Sequence, residues 1–120
     1  MGIGTGSMLL ASGQRVASQP VAVFAGHDCT QISWPDGRTP ACDHLEEQLF
    51  PNETWGRDYF VSALRDRGTS TPNVVRIVSQ QDNNRITYDP ASVRPSETLN
   101  AGQMVEFAAT ASFRATGTRA

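Results

Sequence analysis

Short apolar or alternating runs, separated by clusters of Gly, Pro, Asn and Asp, recur along this chain at intervals that suit strands rather than helices. The pattern predicts strands near Ser7 to Ala11, Val21 to Ala25, Tyr59 to Leu64, Val74 to Ser79, Ile86 to Tyr88, Met104 to Ala108 and Ala111 to Ala115. Pro20 suits the first position of its strand, where a missing N–H forfeits no central ladder bond, and Val21 through Ala25 then read as buried on both faces. In the last run Ala111, Phe113 and Ala115 alternate with Ser112, Arg114 and Thr116, the period of a strand with one wet face, and this marks it as an outer or edge strand.

Gln81-Asp82-Asn83-Asn84 separates two strand-like runs and carries residues that tolerate positive φ, so it reads as a hairpin turn. One helical candidate starts at Asp43, which suits a cap, and runs through His44, Leu45, Glu46, Glu47, Gln48 and Leu49 until Pro51 ends it. Met8 to Gly13 and Ala111 to Gly117 are faintly alike, each a strand followed by a glycine. The expected fold is all-β: an antiparallel β-sandwich with one short helical turn after Cys42, built around Val21, Val23, Val75, Ile77 and Phe107.

The 120 residues fit one domain, and an apolar fraction of 38% suffices for a modest core. A formal net charge of −2 with interspersed signs offers no basic face for a row of phosphates, which excludes nucleic acid as the expected partner. All the basic residues are Arg and none is Lys, a bias given no functional weight. No run approaches the ~20 apolar residues that span a bilayer, so no membrane insertion by this segment is expected. The opening residues lack a basic region and a long apolar stretch, which places any export signal upstream.

Reactive residues concentrate in Gly26-His27-Asp28-Cys29 and Cys42-Asp43-His44. A disulfide between Cys29 and Cys42 would close a loop rich in Pro, Gly and Asp in an oxidising compartment, and stabilise the fold by roughly 3 kcal/mol on the chain-entropy model. The alternative is a tetrahedral zinc site from His27, Cys29, Cys42 and His44, although structural zinc motifs usually put two or more residues between paired ligands. A Cys–His nucleophile pair drawn from the same residues, with Asp28 or Asp43 as orienter, is disfavoured because such partners converge in space rather than as sequence neighbours.

Other candidates are weaker. Glu46 and Glu47 diverge by about 100° on a helix and read as a solvated face rather than an acid–base pair. Asp28, Asp36 and Asp43 match no spaced calcium loop, so neither metal nor cofactor is expected. Gly2-x-Gly4-x-Gly6 lacks the strand before and helix after that a phosphate loop needs, and reads as a flexible lead-in. Asn52-Glu53-Thr54 is an N-glycosylation sequon. Trp55 and Phe60 are expected in the core, while Trp34, between Ser33 and Pro35, is the better exposed contact.

Three blocks together resemble the N-terminal domain family of IgGFc-binding proteins: Pro20-Val21-Ala22-Val23-Phe24-Ala25-Gly26-His27, Cys42-Asp43-His44-Leu45-Glu46-Glu47-Gln48-Leu49 and Thr54-Trp55-Gly56-Arg57-Asp58-Tyr59-Phe60. Val75-Arg76-Ile77-Val78 with Asp82-Asn83, and Leu99-Asn100-Ala101-Gly102-Gln103, are similar to its downstream strands, so the likeness runs from about Gly6 to Ala115. The resemblance implies an extracellular or cell-surface setting within a long multidomain protein, no catalytic activity, and a protein or glycan ligand. It also implies that the family's domain continues past this chain, which would make residues 1–120 a single, truncated β domain with an edge left exposed. The leading expectation is a non-catalytic binding or adhesion module with a candidate binding loop of His27, Asp28, Trp34, Asp43 and His44. Its rivals are the small zinc domain and a structural spacer in a surface fibre.

Overall fold

A computed structural model describes residues 2–4, 22, 24–31, 42–64 and 72–120. In chain order the elements are β1 (Gly2–Gly4), β2 (Phe24–Thr30), β3 (Asp43–Gln48), a 3-10 turn (Asn52–Thr54), β4 (Asp58–Val61), β5 (Asn73–Val78), β6 (Asn84–Asp89), β7 (Glu97–Leu99), β8 (Met104–Ala109) and β9 (Phe113–Gly117). All pairings are antiparallel, in three sheets ordered β1-β5-β8, β2-β3 and β4-β9-β6-β7. The first and third pack face to face as the expected sandwich. Among the described residues no helix is long and apolar enough to cross a membrane.

Strand parity builds the core. On β6, Asn84, Ile86 and Tyr88 turn inward while Arg85, Thr87 and Asp89 face out; on β9, Phe113, Ala115 and Gly117 turn inward. Val75, Ile77, Val105 and Ala109 answer from the opposite sheet, and the two meet at three rings. Tyr88 stands edge-on to Phe107 at 5.6 Å between centroids, Phe113 lies 5.7 Å from Phe107, and Tyr88 and Phe113 are 6.1 Å apart.

Polar groups fasten the margins. Asn84 is fully buried; its Nδ2 donates to Ser79 Oγ at 3.0 Å, and its Oδ1 accepts from the Arg119 N–H at 2.9 Å. Gly117 must be glycine there, because a Cβ would sit 2.7 Å from the Arg119 carbonyl oxygen and 2.8 Å from Asn84 Oδ1. Beside the rings, Glu97 accepts from the Tyr88 hydroxyl at 2.7 Å and from Arg94 Nε at 2.6 Å and Nη2 at 3.0 Å, and the Arg94 guanidinium covers Phe107.

Several expectations need correction. Asp43–Gln48 is a strand, not a helical turn, because β2 offers it a ladder; the helical turn comes later, at Asn52–Thr54. The run entering β2 is not buried on both faces: Phe24 is 60% exposed, in a two-stranded sheet. β9 has its wet face but is an interior strand between β4 and β6. Residues 79–83 are an arch rather than a hairpin: Asn83 does take positive φ (54°), yet β5 and β6 belong to different sheets. Gly2–Gly4 pairs with β5 instead of leading in freely. Phe60 is 75% exposed, since Tyr59 and Val61 take the inward positions of β4, and Trp55 is half-buried with Nε1 donating to the Phe50 carbonyl. The strand near Ser7 to Ala11, with Val21 and Val23, lies outside the described residues.

Two outcomes follow. Phe113→Ala is expected to lower unfolding free energy in urea by about 3–5 kcal/mol, whereas Phe60→Ala shifts it by no more than ~0.5 kcal/mol. The second concerns pH. Hydrogen bonding to Arg94 holds the Glu97 carboxyl below its ordinary 4.5, so the stability it contributes is present above that value and lost as pH falls through the lower folded one. Burial, then Glu97, raise the Tyr88 phenol above its ordinary 10.0, so its contribution is present below pH 10.0 and lost as pH rises toward the folded value. Acid titrations of stability should therefore show a flatter acid limb for Glu97→Gln than for the parent chain.

Candidate functional site

The residues singled out by chemistry gather on the β2–β3 sheet. Its register sets Phe24 opposite Gln48, Ala25 opposite Glu47, Gly26 opposite Glu46 and His27 opposite Leu45, then slips before Thr30 meets Asp43. The slip leaves Asp28 and Cys29 against the single residue His44, a bulge that re-aims the side chains around it. Gly26 fits because a Cβ would stand 3.0 Å from the Leu45 carbonyl oxygen.

From the bulge, Cys29 is joined to Cys42 in a disulfide, their Cα atoms 5.0 Å apart, closing the loop between them. His27 Nδ1 accepts from the Cys29 N–H at 3.1 Å. Asp43 Oδ1 accepts from the His44 N–H at 2.9 Å, and His44 Nε2 lies 3.6 Å from Glu46 Oε2. His27, Asp28, Asp43 and His44 are all exposed. Trp34 lies outside the described residues.

This geometry rules on the competing chemistries. Both sulfurs are spent in the bond, which removes two of the four zinc ligands and the thiol that a Cys–His nucleophile needs. The imidazoles do not converge either: His27 shares a face with Leu45, whereas His44, one residue on, shares the opposite face with Glu46. Glu46 and Glu47 fall on opposite faces for the same reason. Among the described residues no three His, Cys, Asp or Glu side chains form a cluster that would hold a metal ion.

What the arrangement offers is a charged surface. Asp28, Asp43, Glu46 and Glu47 are exposed on the two strands, and neither Arg nor Lys stands among the described residues 24–31 and 42–50. Phe24 at one strand end and Phe50 just past the other add exposed apolar area. The His44–Glu46 contact was hidden from the sequence, because it exists only if Asp43–Gln48 is extended. Alternation then brings positions two apart to one face.

A family model described as IgGFc binding protein matches residues 9–119, which take in both cysteines and every described strand except β1. The chain belongs to this family. The IgGFc-binding protein of Homo sapiens is 37% identical over 97 residues, covering 80% of this chain and 2% of that protein, so the chain spans a small fraction of its curated relative's length. No solved structure matches.

The bond is expected to matter locally. Among the described residues the β2–β3 sheet shares no ladder with the other two, so its opening need not open them. A Cys29→Ser/Cys42→Ser chain should show faster amide hydrogen exchange throughout β2 and β3, with β6 and β9 protected as in the parent. Equal loss of protection across all three sheets would mean that the molecule opens as one unit.

Proposed function

We propose that this chain is a non-catalytic, extracellular protein-binding module of a larger secreted or cell-surface protein, recognising its ligand through the disulfide-closed end of β2–β3. The observation that carries the reading is the Cys29–Cys42 bond itself: it ties off a sheet whose His27, Asp28, Asp43 and His44 are turned to solvent. Disulfides persist where the surroundings oxidise thiols, which supports a setting outside the cytosol. A rigid closure also lowers the ordering cost of a binding loop.

Family membership supports a protein as the ligand, since the human relative is named for binding the Fc of IgG. The exposed carboxylates of Asp28 and Asp43 beside the disulfide favour a ligand surface bearing Arg or Lys, with association that weakens as salt rises. Adhesion is the natural use of such a module on a cell surface, and a glycan is the second ligand class.

The test is biolayer interferometry of the 120-residue chain against immobilised Fc of immunoglobulin G, a basic protein panel and a glycan panel. A protein ligand should bind, and Asp28→Ala/Asp43→Ala/His44→Ala should weaken it by about ten-fold or more while thermal melting stays put. A triple variant that binds like the parent would move recognition away from this loop. Glycan-only binding would replace the ligand class, and silence on every surface would favour a structural spacer.

A further inference from the structure

Among the described residues the four-stranded sheet ends on one side at β4, and the phase of its ladder is fixed twice over. Gly117 donates its N–H to the Arg57 carbonyl at 2.7 Å, and Thr118 donates to the Arg85 carbonyl at 3.0 Å. In an antiparallel ladder directly opposed residues exchange both bonds, and only every second pair does so. Along β9, Phe113, Ala115 and Gly117 therefore bond toward β4, and Arg114, Thr116 and Thr118 toward β6. On β4 the bonded residues are Tyr59 and Val61, so the main-chain groups of Asp58 and Phe60 point away from the sheet. The chain stays alongside as far as Ala63, whose N–H donates to the Ser112 hydroxyl at 2.9 Å, which carries the alternation to Ser62.

Of the other margins, β7 is three residues long and turns only Thr98 outward, and β8 holds its outward charge in an ion pair, Glu106 with Arg76. β4 has neither proline nor an unpaired charge, because Arg114 takes both oxygens of Asp58. It presents instead Phe60 and, just past its end, Leu64, each 75% exposed.

We propose that β4 is a homodimerisation edge: two copies of this chain pair antiparallel through residues 58–62, about a two-fold axis at Phe60. The edge is self-complementary in that register. Phe60 opposes Phe60 of the second copy and Asp58 opposes Ser62 of the second copy, so each pair supplies a donor and an acceptor in both directions. Charge selects this register over one centred on Asp58, which would set two carboxylates face to face. The paired rings lie on the same outer face, where each covers the other's exposed surface. An edge this short buries far less than the ~1,600 Å² of a standard interface, so association is weak, with a dissociation constant on the order of 10⁻⁴ M.

Sedimentation equilibrium of the chain from ~10 μM to ~1 mM brackets that constant. The weight-average mass should climb from 13.0 kDa toward twice that value. Phe60→Pro deletes an N–H that the monomer's own ladder does not use, and proline is tolerated at such an edge position. That variant and Phe60→Lys should both hold at 13.0 kDa throughout, with circular dichroism and urea midpoint like the parent's. Hydrogen exchange at the Phe60 amide should slow as concentration rises. A mass of 13.0 kDa at every concentration, a dimer that survives Phe60→Lys, or a Phe60 amide already protected at the lowest concentration would each overturn the proposal. So would protection gained only on adding an unrelated extended peptide.

Discussion

The contact among Phe113, Tyr88 and Phe107 is what makes two sheets into one body. Phe113 and Tyr88 come from neighbouring strands of the four-stranded sheet, Phe107 from the edge of the three-stranded one, and each ring touches the other two. Their placement depends on parity: Phe113 points inward with Ala115 and Gly117. The Tyr88 hydroxyl is the polar end of this apolar contact, and Glu97 with Arg94 satisfies it without opening the core to water. Stability and register are thus set by the same few residues.

The β2–β3 sheet obeys different physics. Two strands with mostly exposed faces have little apolar area to bury, and an isolated hairpin of this kind is marginal in water. Here a covalent link does what a core does elsewhere. The division of labour lets exposed residues vary on β2 and β3 while the sandwich keeps its own packing.

Much of the sandwich was legible along the chain because β5, β6, β8 and β9 write their environment in period two or in continuous apolar runs. Ile86 and Tyr88 with polar residues between them, and Phe113 and Ala115 likewise, leave little choice of face. Residues 43–49 misled because Leu45 and Leu49 have helical spacing among good helix formers, and the strand is decided by a partner some twenty positions away. Phe60 misled differently: Asp58–Val61 alternates either way, and bulk suggested the wrong face when Tyr59 and Val61 fill the core. β7 is too short to have a pattern. The cysteine pair was legible from composition and spacing. That His27 and His44 fall on opposite faces was not, since it depends on register.

The last strand in sequence sits in the middle of its sheet. β9 lies between β4 and β6, and the opposed residues Asp58 and Thr116 are nearly half the chain apart. As the polypeptide emerges during synthesis, β4 therefore meets its partner β9 only after β5 to β8 have been made. Assembly ordered this way is slow for the chain's size, because distant segments must close before their pairing is rewarded. A nascent chain halted before Phe113 would hold neither the four-stranded sheet nor the ring contact that joins it to its neighbour.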